Sequence, residues 1–276
     1  MNCFQIIKSI LDEEYDQIPG NEIEKDARIN EACKVLSQDY KQLLAGKNVS
    51  YLNPITRFAY IYTYVTCHAN LVCTLINEYK NLGEIFDAQK VKIACIGGGP
   101  GSDFLGIIKY VMTKNKSPNI TFNICDREKT WAESWNGVDD KVEHELRTST
   151  SYLSLDVTVP DDWKHHTKYF QSDLFTMIYF MSEVFALRES ADDYFNNLFR
   201  QAKVGAVFLF VDNNNPNFYN WFDKLAMTHN IDIIERKECR MNMPLNEEKS
   251  DLGRYFIKFN NPRLTANVAY RIARKK

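Results

Sequence analysis

The sequence predicts an α/β fold: a doubly wound, mostly parallel seven-stranded sheet that ends in an antiparallel hairpin and carries an N-terminal helical cap. Three observations predict it. From Val91 onward, short apolar runs alternate with longer amphipathic segments, the pattern of strands joined by crossover helices. Between the first run and the first segment stands "GGGPG", residues 97–101, where the missing Cβ atoms allow a sharp turn and close approach of another molecule. At the end, "NIDIIERKEC" and "GRYFIKFNN…NVAYRIARKK" read as strand, loop and strand with no helix between them.

Taken in order, residues 1–90 read as the helical cap and 91–276 as the sheet domain. The cap carries helical spacing in "FQIIKSILDEEY", "EKDARINEACKVLSQDYKQLL" and "ITRFAYIYTYVTCHANLVCTLINEYKNLG", with Asn53-Pro54 starting the third helix and Gly83 ending it. The sheet domain then gives "VKIACI", helix 102–114, "ITFNICD", helix 127–147, "TSYLSLDV", "FTMIYFMSEVF", helix 190–202, "AVFLFVD" and helix 216–229. Trp131 and Trp135, four apart, read as core rather than as a platform for a base.

Composition narrows the function. The 276 residues, 45% hydrophobic, suffice to bury a full core. A net charge of -2 gives no global field for nucleic acid, although "RIARKK" at 271–276 is a local basic patch. Seven cysteines without a CxxC pair are expected to be reduced, buried thiols of a cytoplasmic or nuclear protein, with neither a zinc site nor a disulfide framework. The N-terminus lacks a basic region and a cleavage site, and the apolar stretch 58–76 is interrupted by His68 and Asn70, so neither a signal peptide nor a membrane span is expected.

The strand, glycine turn and helix suit a pyrophosphate or an adenosyl amino acid. A dinucleotide motif started at Gly97 would place Ser102 at its last glycine, whereas G-x-G-x-G is present as Gly97, Gly99 and Gly101, with Gly98 between. The second strand ends on Asp126, whose carboxylate can accept from both hydroxyls of a ribose in either kind of cofactor. With these residues the chain resembles the class I S-adenosylmethionine-dependent methyltransferases, and the resemblance runs in order across 91–274.

The resemblance implies S-adenosyl-L-methionine as cofactor, held by Gly97, Gly98, Gly99, Gly101 and Asp126. It implies further that Asp156 and the backbone N–H of Val157, after the third strand, reach the adenine; read alone, Asp156 is a turn or capping residue. Ser182 and Glu183 emerge where the family's fourth strand faces the transferred methyl, as catalytic candidates or as a helix cap and a surface ion pair. The fourth strand carries no Asn/Asp-Pro-Pro-Tyr signature, and no cysteine pair stands where RNA enzymes form a covalent adduct. In the cap, Arg57, Tyr60 or Ile61, Tyr64, His68 and Leu71 share a helical face. Arg57 is a candidate for the methionine carboxylate, and Tyr60 and Tyr64 for the sulfonium or acceptor, against plain aromatic packing.

The expected function is methyl transfer to an N or O acceptor on a small molecule or protein. Alternatives are an RNA methyltransferase, a catalytically silent cofactor-binding module and a nicotinamide-dependent oxidoreductase. The oligomeric state is left open.

Overall fold

Strands β1 (Lys90–Ile96), β2 (Asn119–Asp126), β3 (Thr148–Ser154), β4 (Leu174–Ile178), β5 (Val207–Asn213), β6 (Ile231–Asn242) and β7 (Thr265–Lys275) form one sheet in the order β3-β2-β1-β4-β5-β7-β6. The computed structural model describes residues 2–46, 49–132, 134, 146–242, 247–259 and 262–276. Trp135 and most of the helix expected over 127–147 lie outside them. Strands β1 to β5 pair in parallel, and β7 runs antiparallel between β5 and β6. All five residues of β4 are buried, as a central strand covered on both faces requires.

Helices α1 (Cys3–Gln17), α2 (Glu22–Asp39), α3 (Pro54–Tyr60), α4 (Thr66–Glu78) and α5 (Ser102–Thr113) belong to one face of the sheet, and α6 (Arg188–Gln201) and α7 (Pro216–Thr228) to the other. The cap shares the core of the first face: Phe4, Ile7, Phe58 and Val72 join Phe104, Ile93 and Phe122 in one apolar cluster. On the second face, Phe199 and Phe222 pack on Phe208 and Phe210.

Gly106 lets α5 lie directly on α4. A Cβ there would collide with the Ala69 carbonyl and stand 2.7 Å from the Cβ of Val72. Gly106→Ala is therefore expected to destabilise the fold by about 1–3 kcal/mol through overpacking, read as a lower Tm on thermal denaturation.

Two local expectations are corrected. "GRYFIKFNN" is not strand: a 3-10 turn at Lys249–Leu252 and a helical turn at Arg254–Lys258 precede β7. Tyr255 is the reason, since its fully buried ring packs on Phe58 at 5.1 Å while its hydroxyl donates to Asp12 at 2.7 Å. Nor does β4 extend to Glu183. It stops at Ile178, Tyr179 takes a left-handed conformation (φ 56°), and Phe180–Val184 forms a helical turn.

Candidate active site

The C-terminal ends of β1 to β5 carry the site. After β1 the chain reverses through Gly97 (φ 67°), whose N–H donates to the Cys125 carbonyl at 2.7 Å, and enters α5 at Gly101 (φ 88°). Gly98 packs on Cys95 and Ile124. The Gly99 N–H donates to Asp126 Oδ2 at 2.9 Å, and the Glu128 N–H to Asp126 Oδ1 at 2.9 Å. Each carboxylate oxygen thus keeps lone-pair capacity for a further donor. Burial pushes the Asp126 carboxyl up to about 6 against the pull of these two bonds.

Asp126 opens onto a cleft of about 540 Å³, walled also by Asp156, Val157, Phe180 and Glu183. Asp156 Oδ1 accepts from the N–H and hydroxyl of Thr158 at 2.8 and 2.6 Å, a turn that leaves its second oxygen without a hydrogen bond among the described residues. The Val157 N–H makes no hydrogen bond among the described residues. Five carboxylates line the cleft against two cations, Arg127 and Lys129.

The glycines themselves do not line it. The Phe180 ring lies over Gly97, where a Cβ would fall within the ring, and a Cβ on Gly99 would stand 3.2 Å from Asp126 Oδ2 and 3.4 Å from Trp131 Nε1. The buried Trp131 is packed by Tyr51 and Tyr60, a core residue as expected. A ligand in the cleft reaches Gly97 only when Phe180 swings aside.

Glu183 stands in the cleft wall, where its Oε1 accepts from Tyr40 Oη at 3.0 Å and from Tyr51 Oη at 3.3 Å, and the two hydroxyls also bond each other. Burial, reinforced by the Asp126 charge, pushes its carboxyl up to about 7. Burial likewise raises Tyr40 and Tyr51 well above the usual phenol range, so both remain proton donors.

Three sequence expectations are redirected. Arg57 does not face the cleft: its Nε donates to Glu14 at 2.9 Å, Nη1 to the Tyr51 and Leu52 carbonyls at 3.0 Å each, and Nη2 to Gln17 at 2.7 Å. The cause is a π turn, Ile61–Val65, between α3 and α4, which adds a residue to the repeat and rotates Arg57 away from the face of Tyr64 and His68. Ser182 does not face the cleft either. Its N–H donates to Asp212 Oδ2 at 2.8 Å and its hydroxyl to the Tyr179 carbonyl at 3.3 Å, which fixes the turn after β4. Tyr64 lies beyond Glu183, in a separate cavity.

Sequence reading missed Tyr40, Tyr51, Phe180 and Asp103. The last is buried in the first turn of α5, accepts from Thr176 Oγ1 at 2.5 Å and is pushed up to about 7 by burial. An acid placed just after a glycine turn was the available signal for it. All seven cysteines are unpaired, four of them buried. Among the described residues no cluster could hold a metal ion, and no helix is long and apolar enough to cross a membrane.

No family model matches the chain, and no curated protein matches it. Among solved structures, the CurJ carbon methyltransferase superposes with a TM-score of 0.50 at 10% identity, over 91% of this chain and 67% of its own. With β7 inserted antiparallel between β5 and β6, that likeness decides the architecture. The fold is that of the class I methyltransferases. A Listeria monocytogenes protein provisionally assigned to the same class shows 12% identity and a TM-score of 0.46, over 99% of this chain and 87% of its own. Precorrin-6Y C5,15-methyltransferase from Geobacter metallireducens shows 12% identity and 0.43, over 71% and 85%.

The residues at the ends of β2 and β3 offer groups that suit a nucleoside. Asp126 has acceptor capacity for a ribose diol, and Asp156 and Val157 offer an acceptor and an unpaired N–H side by side for an adenine edge.

Proposed function

We propose that this chain is an S-adenosylmethionine-dependent methyltransferase acting on an oxygen or nitrogen of a small molecule or protein. One observation carries the reading: Asp126, Asp156 and Val157 from two strand ends meet Glu183 from a third in a single cleft. The charge of that cleft agrees. Five carboxylates against two cations attract a sulfonium and repel the pyrophosphate of a dinucleotide or the backbone of an RNA.

When bound, the cofactor supplies a methyl carbon on a sulfonium: the acceptor's lone pair forms the new bond as the C–S bond breaks, its electron pair leaving on sulfur. Catalysis by this chain then consists of holding the two reactants in line and receiving the proton that the acceptor loses. Glu183 is the proton acceptor. Tyr40, hydrogen-bonded to Glu183 Oε1, passes that proton on when the acceptor does not touch the carboxylate directly.

Calorimetric titration tests the cofactor. S-adenosylmethionine and S-adenosylhomocysteine should both bind, and Asp126→Ala should weaken both by about 1.5–3 kcal/mol through loss of two charge-assisted bonds. Binding of a nicotinamide dinucleotide instead would overturn the reading. Unchanged affinity in the variant would return Asp126 to holding the loop through Gly99 and Glu128.

A further inference from the structure

Past Glu183, a second cavity of about 120 Å³ lies at the ends of β4 and β5 and the start of β7. Its walls are the rings of Tyr40, Tyr60, Tyr64, His68 and Tyr179, and the exposed Arg263 stands at its rim. We propose that this cavity is the acceptor site and takes a monocyclic aromatic carboxylate. The ring lies among the tyrosines, the carboxylate meets Arg263, and the hydroxyl or amine to be methylated points inward to Tyr40. The assignment as acceptor site rests on the methyltransferase reading.

Size and shape give the ring. A cavity of this order holds about one six-membered ring with its substituents. The walls are aromatic faces and edges: His68 stacks on Tyr179 with centroids 4.0 Å apart and on Tyr64 at 5.8 Å, while Tyr40 stands edge-on to Tyr64 at 71° and Tyr60 edge-on to His68 at 72°. Tyr60, Tyr64 and His68, spaced four apart, are in mutual contact along the run from α3 to α4, with Tyr64 in the π turn.

Charge gives the carboxylate. Among the described residues no Asp or Glu lines the cavity, and Arg263 is its one charged lining group. The guanidinium sits 5.7 Å over the Tyr64 ring and has no carboxylate partner among the described residues. Burial and the Arg263 charge push His68 down to about 3, so at neutral pH the imidazole is an uncharged face. An ammonium at the rim would meet only a like charge, whereas a carboxylate gains a planar, two-point partner beside solvent.

Position gives the reacting end. Tyr40 links the two cavities: it lines this one, and its hydroxyl donates at 3.0 Å to Glu183, which lines the other. A hydroxyl or amine at the inner end gives its proton to Tyr40 as Tyr40 gives its own to Glu183, which leaves the tyrosine neutral and the proton on the carboxylate.

Calorimetry with 4-hydroxybenzoate, benzylamine and benzyl alcohol, on protein with and without saturating S-adenosylhomocysteine, tests the proposal. The expected result is that 4-hydroxybenzoate binds and benzylamine binds at least about tenfold more weakly. Arg263→Gln, at an exposed position that leaves the fold intact, should weaken 4-hydroxybenzoate about ten- to hundredfold and benzyl alcohol less than about twofold. Benzylamine binding as tightly as 4-hydroxybenzoate, or an unchanged 4-hydroxybenzoate affinity in the variant, would overturn it. So would S-adenosylhomocysteine binding with no response to 4-hydroxybenzoate, which leaves the methyltransferase reading standing. An Arg263-dependent response to 4-hydroxybenzoate with none to S-adenosylhomocysteine supports the ring-and-anion site and overturns the methyltransferase reading instead.

Discussion

Glu183→Gln is expected to lower turnover about 100- to 10,000-fold while S-adenosylhomocysteine binds within about twofold of wild type. Glutamine keeps the volume and can still accept from Tyr40 and Tyr51, whose hydroxyls lie 3.0 and 3.3 Å from Glu183 Oε1, but it cannot take up a proton. The pH profile separates this from a loss of shape. With its carboxyl pushed up to about 7, the basic form of Glu183 gains tenfold per pH unit below that value and saturates above it, so kcat/KM should rise and then level. The Gln variant should lose that rise. Folding points the same way. An acid whose pKa is raised on folding favours the folded state below its ordinary value of 4.5, and that contribution is lost as pH rises through about 7. The Gln variant, uncharged throughout, should therefore be at least as stable as wild type at neutral pH, and a failure confined to turnover is chemical. A single-turnover rate within a factor of about two of wild type would remove Glu183 from proton transfer and leave positioning as the catalytic contribution.

What was legible in the sequence is what a strand and its next turn encode together. β1, the glycine reversal and Asp126 are contiguous or follow a fixed periodicity, and the strands they mark pair in the expected parallel order. The partners of Glu183 were not legible, because Tyr40 and Tyr51 are 143 and 132 positions away and meet it only when the cap folds onto the sheet. Arg57 misleads for a different reason: an ideal 3.6-residue wheel puts it with Tyr64 and His68, and the π turn at Ile61–Val65 breaks that wheel between them. β4 misleads because "LFTMIYFM" is apolar but for Thr176 and the Tyr179 hydroxyl, while the left-handed Tyr179 ends the strand in the middle of the run.

Arg57 was sought as a cofactor ligand, and its actual place gives the other large effect. The guanidinium and Glu14 are 3% and 1% exposed, and Glu14 is its one carboxylate partner among the described residues. Arginine does not discharge, so Glu14→Leu leaves a buried cation held only by carbonyls and an amide. The expected cost is about 3–5 kcal/mol, seen as a Tm lower by roughly 6–20 °C. The loss should also reach the cleft. Tyr51, which donates to Glu183, has its carbonyl held by Arg57 at 3.0 Å and Thr130 at 3.3 Å, so a disturbed Arg57 frees that wall. Glu14→Leu combined with Arg57→Met removes the stranded charge and should recover most of the stability, because an apolar pair of similar volume often equals a buried ion pair. Stability would return while the wall does not: the double variant lacks the guanidinium that grips the Tyr51 and Leu52 carbonyls, and should bind S-adenosylhomocysteine more weakly than wild type at equal Tm. If the double variant is as unstable as Glu14→Leu alone, the pair is a packing element, and stranded charge is not the cause of the loss.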